Sequence, residues 1–74
     1  MNLEALAKAY VSSVELEERA QRESPSLVDD LSLLRSDLHA LLMTALREAH
    51  IPFADRSDAA RIAFEIAQKN PQIA

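Results

Sequence analysis

The sequence contains no glycine, no cysteine and no tryptophan. Without cysteine the chain can form no disulfide, no zinc finger and no thiol nucleophile, and this composition fits the reducing cytoplasm. Without glycine it lacks the loops in which the backbone closely approaches a bound phosphate, and tight β-hairpins are disfavoured. These absences remove several large classes of enzyme and of small β-rich domain.

Long apolar runs and an excess of basic residues are missing as well. No run approaches the ~18 apolar residues of a membrane span, and the start of the chain, with an early Glu4 and no basic region, does not resemble a signal peptide. Eight basic and twelve acidic residues give a formal net charge of −4. This balance argues against a general affinity for phosphate backbones or anionic lipid. We therefore expect a cytoplasmic protein that does not bind membranes.

The residues that are present predict an all-α fold. The 74 residues, 49% of them apolar, are enough for one small domain, which we assign to residues 1–74. Apolar residues recur at spacings of three and four, and prolines interrupt this pattern at Pro25 and Pro52. The pattern predicts helices at about residues 2–23, 25–50 and 57–69, the last ending at Lys69-Asn70-Pro71. Short turns between them indicate a three-helix bundle.

The central helix carries the strongest pattern in the chain. Six apolar residues follow a 4-3-4-3-4 spacing, which is a heptad seam: Leu27, Leu31, Leu34, Leu38, Leu41 and Ala45. The second half of this helix is apolar on most sides, so we expect neighbouring helices to cover most of it. The first half faces a largely charged part of helix 1, in which Leu16 and Ala20 are the main apolar residues.

This imbalance predicts a protein interface at Leu27, Val28, Leu31 and Leu34. Large aliphatic side chains with too few partners in one chain form an exposed apolar patch, and such patches mark interaction sites. We expect a second copy to cover the patch in a symmetric homodimer with a four-helix contact, or a different helical protein to do so. The substitution Leu31→Glu is then expected to break the dimer and to leave much of the helicity.

The sequence offers little material for catalysis. His39 and His50 share a helix face, but three turns separate them by about 16 Å, too far for one metal ion. We expect both to be half-exposed. The carboxylates Glu15, Glu17, Glu18 and Glu23 are expected to form a solvated, salt-bridged surface. No serine has the flanking glycines of a nucleophile elbow. We therefore expect a non-catalytic protein without metal, cofactor or small-molecule substrate.

Nucleic-acid binding is the alternative prediction. Arg47, Arg56, Arg61 and Lys69 gather in the last third of the chain, where a helix, a short turn and another helix have the outline of a helix-turn-helix. The nine residues 53–61 resemble the start of the first helix in ribbon-helix-helix repressors, although a long helix precedes them where those proteins have their DNA-reading strand. The resemblance implies a DNA-associated transcriptional regulator.

Overall fold

The structure, a computed structural model, describes residues 2–69. Within them the chain forms helix α1 (Leu3–Glu23), a 3₁₀ turn (Pro25–Leu27), helix α2 (Val28–Glu48) and helix α3 (Arg56–Lys69), with no strand. The all-α three-helix prediction is confirmed. The central helix begins three residues later than predicted and ends two residues earlier, because Pro25 starts a 3₁₀ turn instead of the α-helix. The predicted stop residues Asn70 and Pro71 lie outside the described residues.

Helices α1 and α2 are antiparallel neighbours, as the short connection between them predicts. Glu17 contacts Arg35 near one end of the pair, and Tyr10 contacts His39 further along. Residue numbers therefore rise along one helix as they fall along the other. Helix α3 packs more extensively on α1 than on α2.

The core lies where all three helices meet, and small side chains form much of it. Five of the nine buried hydrophobic residues are alanines. Alanine lets helices approach closely, but each one buries little apolar area. Leu42 and Leu46 are the large aliphatic residues that are fully buried. Ile51 and Phe53, two apolar residues of the loop before α3, also pack against this core.

Side chains and backbone groups close the helix ends. Asn2 accepts a hydrogen bond from the N–H of Ala5 and caps α1. Asp55 accepts one from the N–H of Asp58 at 2.8 Å and caps α3. Each cap satisfies a backbone donor that has no partner inside its helix.

Candidate interaction surface

A row of leucines runs from the 3₁₀ turn along α2 on a side that the bundle covers only in part. We define the leucine face as Leu27, Leu31, Leu34 and Leu41 together with Leu16 of α1. Leu27, Leu34 and Leu41 are seven residues apart and are 50%, 45% and 44% exposed. Seven residues are nearly two helical turns, so these side chains follow one another with only about 20° of drift per step. Leu41 thus lies outside the part of the second half of α2 that the neighbouring helices cover.

The structure also places the predicted interface residues individually. Leu27 and Leu34 are exposed, whereas Val28 and Leu31 are half-buried. Leu16, which is 46% exposed, extends the leucine face onto α1. A shallow groove of about 120 Å³ lies between the two helices there, and its apolar lining consists of Leu16, Ala20, Leu27 and Leu31.

Polar residues occupy the contact between α1 and α2 beside the leucine face. Arg35 Nε donates to Glu17 Oε1 at 2.5 Å, and only 13% of the Glu17 side chain is exposed. Arg35 Nη2 also donates to the hydroxyl of Ser32 at 3.3 Å. The expectation that Glu17 belongs to the solvated acidic surface is wrong, because it faces α2 and meets an arginine there. Periodicity within α1 could not identify that arginine.

His39 is another polar residue at this contact, and it is 4% exposed. Its Nε2 lies 2.9 Å from the carbonyl oxygen of Arg56. A carbonyl only accepts, so Nε2 carries the proton and donates. The ring meets Tyr10 edge-on, with centroids 5.4 Å apart, and Nδ1 is buried without a hydrogen-bond partner among residues 2–69. The prediction of a half-exposed His39 is wrong because the start of α3 covers it.

Two neighbouring strips of α2 thus have opposite environments. Arg35 and Leu42 face the bundle. Arg35 directly follows Leu34 in the sequence, and Leu42 directly follows Leu41. One residue is a rotation of about 100° around the helix. The orientation of α2 therefore directs an arginine and a histidine inward and leaves a regular leucine row at the surface.

The basic residues predicted to contact nucleic acid lie in α2 and α3. The guanidinium of Arg47 lies 5.4 Å from the ring centroid of Phe53. Arg61 forms ion pairs with Asp58 at 2.7 Å and with Glu65 at 2.5 Å. Arg56 and Lys69 are exposed. Helix α2 occupies the place of the DNA-reading strand that the ribbon-helix-helix resemblance requires. The nucleic-acid contact itself stays a prediction.

The carboxylate of Asp58 is the centre of a small network at the start of α3. A hydrogen bond from the N–H of Ala54, at 2.8 Å, together with the bonds from Arg61, holds the pKa of Asp58 below its usual value. The same contact with Asp58, reinforced by Glu65, raises the pKa of Arg61. The positive charge of Arg61 is thus balanced by two acids within its own helix.

Two further grooves lie on the surface of the described part of the chain. A groove of about 380 Å³ lies between α1 and α3 beside Phe64, and one of about 600 Å³ lies around Pro52. Both open widely to solvent. Among residues 2–69, no three side chains of the metal-binding types His, Cys, Asp or Glu are grouped to hold an ion. None of the helices described is long and apolar enough to cross a membrane.

No protein-family model, no curated protein and no solved structure matches the chain in the comparisons made with it.

Proposed function

We propose that this chain is a non-catalytic helical interaction module whose leucine face binds a second copy of the same chain. One observation carries the proposal. Of the eleven leucines in the sequence, three are buried and five are exposed, and three of the exposed ones follow a heptad spacing from the end of the 3₁₀ turn along α2. Apolar side chains at this spacing are what one helix presents to another in a helix pair.

The composition supports self-association from a second direction. A chain of this length that has no cysteine can form no disulfide, and a regular bundle or oligomerisation is among its few remaining means of stabilisation. The alanine-rich core buries little area per residue, whereas the leucine face would bury large side chains in a dimer. Because the chain has no cysteine, we propose the cytoplasm as its compartment.

Light scattering on a sizing column tests the proposal. Over a concentration series we expect a mass near twice the 8.2 kDa of one chain. We expect Leu34→Asp to elute as a monomer with wild-type helicity by circular dichroism, because it places a carboxylate in the centre of the leucine face. This position is a cleaner test than Leu31, whose half-buried side chain also packs within the monomer.

Leu33→Asp is the matched control for this experiment. Leu33 is the next residue along α2 and is 64% exposed, but it lies about 100° around the helix from Leu34. The control should remain a dimer. A wild-type chain that is monomeric throughout the series, or a Leu34→Asp chain that is still dimeric, would overturn the proposal.

Binding of duplex DNA remains the alternative prediction. Two acids balance the charge of Arg61, and the guanidinium of Arg47 contacts Phe53. These contacts favour DNA binding less than the leucine face favours self-association. Titration with nonspecific duplex at about 50 mM salt, where phosphate contacts are strong, separates the two. A DNA-binding protein would show salt-sensitive binding that Arg56→Ala weakens, and an interaction module would dimerise without DNA.

A further inference from the structure

We infer that two copies pair with their two-fold axis running along α2, so that each α2 lies parallel to the partner's α2 and each Asp30 lies against the partner's Arg19. This inference rests on the proposed function, because it concerns the geometry of the same leucine face. The charges at the two edges of that face and the symmetry of a dimer determine this geometry.

The outer edge of the leucine face is acidic. Asp30 and Asp37 are exposed and lie about 140–160° around α2 from Arg35, the residue that faces α1. They therefore border the leucines on the side away from α1. Within the described residues neither carboxylate forms an ion pair. Both are available to meet a charge on another molecule.

The inner edge of the leucine face, on α1, carries the cation Arg19 and the acid Glu23. Both line the shallow groove that Leu27 and Leu31 also line, so they lie level with the first turns of α2. The Arg19 side chain is 67% exposed, and its Nε is 3.9 Å from Glu23. An exposed pair at this distance contributes little to stability. Arg19 can therefore turn to a partner at small cost.

Symmetry allows two ways of placing one copy over the other. A face-to-face dimer has its two-fold axis in the plane of contact, and this axis runs either along the helices or across them. An axis along the helices brings each outer edge against the partner's inner edge and leaves each residue at the same position along the helix axis. Asp30 then meets the partner's Arg19. An axis across the helices brings each outer edge against the partner's outer edge and reverses the heights. Asp30 then faces the partner's Asp37, and Asp37 faces the partner's Asp30.

Charge decides between the two arrangements. Opposite charges at the edges of a helix pair favour an orientation, and like charges placed opposite one another disfavour it. With the axis along the helices, each Asp30 lies against an edge that holds Arg19 as well as Glu23, so two opposite-charge contacts form. With the axis across the helices, the outer edges place only acids against each other. The row Leu27, Leu34 and Leu41 faces the partner's row in both arrangements, so the edges determine the orientation.

Disulfide cross-linking tests the orientation directly, because the chain has no native cysteine. We would prepare Leu27→Cys, Leu34→Cys and Leu41→Cys separately and oxidise each one. A disulfide needs Cα atoms within about 7 Å. In the parallel dimer each position faces its own copy, so all three variants cross-link, whereas Leu33→Cys, the control at the side of the row, does not.

The other outcomes distinguish the inference from the proposed function. In an antiparallel dimer, only Leu34→Cys would cross-link to its own copy. Leu27→Cys and Leu41→Cys would cross-link to each other, and only when the two variants are mixed. The proposed function would then stand and the inference would fall. No cross-linking at any position, together with a monomeric mass, would overturn both.

Charge reversal gives an independent test of the Asp30–Arg19 contact. We expect Asp30→Arg or Arg19→Asp alone to weaken the dimer by about tenfold in dissociation constant, and the double reversal to return it to within about threefold of wild type. Circular dichroism checks that each variant stays folded. A double variant that dimerises no better than the weaker single variant would overturn the inference.

Discussion

His50 holds a left-handed backbone conformation just after α2, with a φ of 59°. Its N–H donates to the carbonyl of Arg47, and the N–H of Ile51 donates to the carbonyl of Leu46. These two bonds form a Schellman motif, in which glycine usually takes the left-handed position because a Cβ atom raises the energy of that conformation. A sequence without glycine places histidine there, and the fold carries the resulting strain.

We therefore expect His50→Gly to stabilise the protein by about 1 kcal/mol. In a domain of this size that difference raises Tm by about 4–8 °C, which thermal unfolding followed by circular dichroism measures. Ala49→Gly is the control. Its φ is −85°, so glycine relieves no strain there and only increases the entropy of the unfolded chain. A His50→Gly protein that melts at or below the wild-type temperature would contradict this account.

The two histidines also show how far single residues can be predicted from the sequence. The prediction that they share a helix face is wrong, because α2 ends at Glu48 and His50 lies beyond it, exposed and with a left-handed backbone. Helical geometry also does not say which other helix covers the face of α2 that carries His39. His39 is buried because α3 starts above it and offers the carbonyl of Arg56. That contact joins residues 17 positions apart, and no local pattern reports it.

At the scale of the elements, the sequence predicts the helices well and their rotation poorly. Prolines and apolar periodicity locate all three helices to within three residues at each end. The heptad pattern also identifies the leucine row of α2. It cannot say that Arg35 and His39 turn inward while Leu34 and Leu41 turn outward, because that choice depends on Glu17 and Tyr10 of α1. The surplus of leucine in the first half of α2 was the available signal.

The start of α3 provides a test at the same scale. Because hydrogen bonds from Ala54 and Arg61 lower the pKa of Asp58 in the folded protein, its carboxylate favours folding at pH values above its unfolded pKa, near 3.8. This contribution is lost as the pH falls through the lowered, folded-state pKa. We expect Asp58→Asn to be less stable than wild type at neutral pH and the difference to shrink towards about pH 2.

Urea unfolding at neutral pH and at about pH 2 measures this difference. Glu18→Gln is the control, because it removes one exposed carboxylate from α1 and should change stability little at neutral pH. If the free energies of unfolding of wild type and Asp58→Asn differ by the same amount at both pH values, the charge of Asp58 does not stabilise α3.

For the whole molecule, the balance of buried and exposed leucine suggests that folding and pairing are coupled. The core of one chain rests on alanines and three buried leucines, whereas five leucines are exposed on one chain. Burial of a large aliphatic side chain contributes about 1.5–3 kcal/mol, a substantial fraction of the stability of a small domain. A dimer through the leucine face would therefore add markedly to the stability of a bundle with a small core.

Coupling of this kind makes Tm depend on protein concentration. We expect the Tm of wild type and of Leu33→Asp to rise by several degrees over a hundredfold concentration range, because each tenfold increase favours the folded dimer by about 1.4 kcal/mol. Leu34→Asp should melt at a lower temperature that does not change with concentration, since its chains fold singly. Differential scanning calorimetry over the range provides the measurement. A wild-type Tm that is constant throughout would mean that one chain is stable without a partner, and that the leucine face contributes nothing to folding.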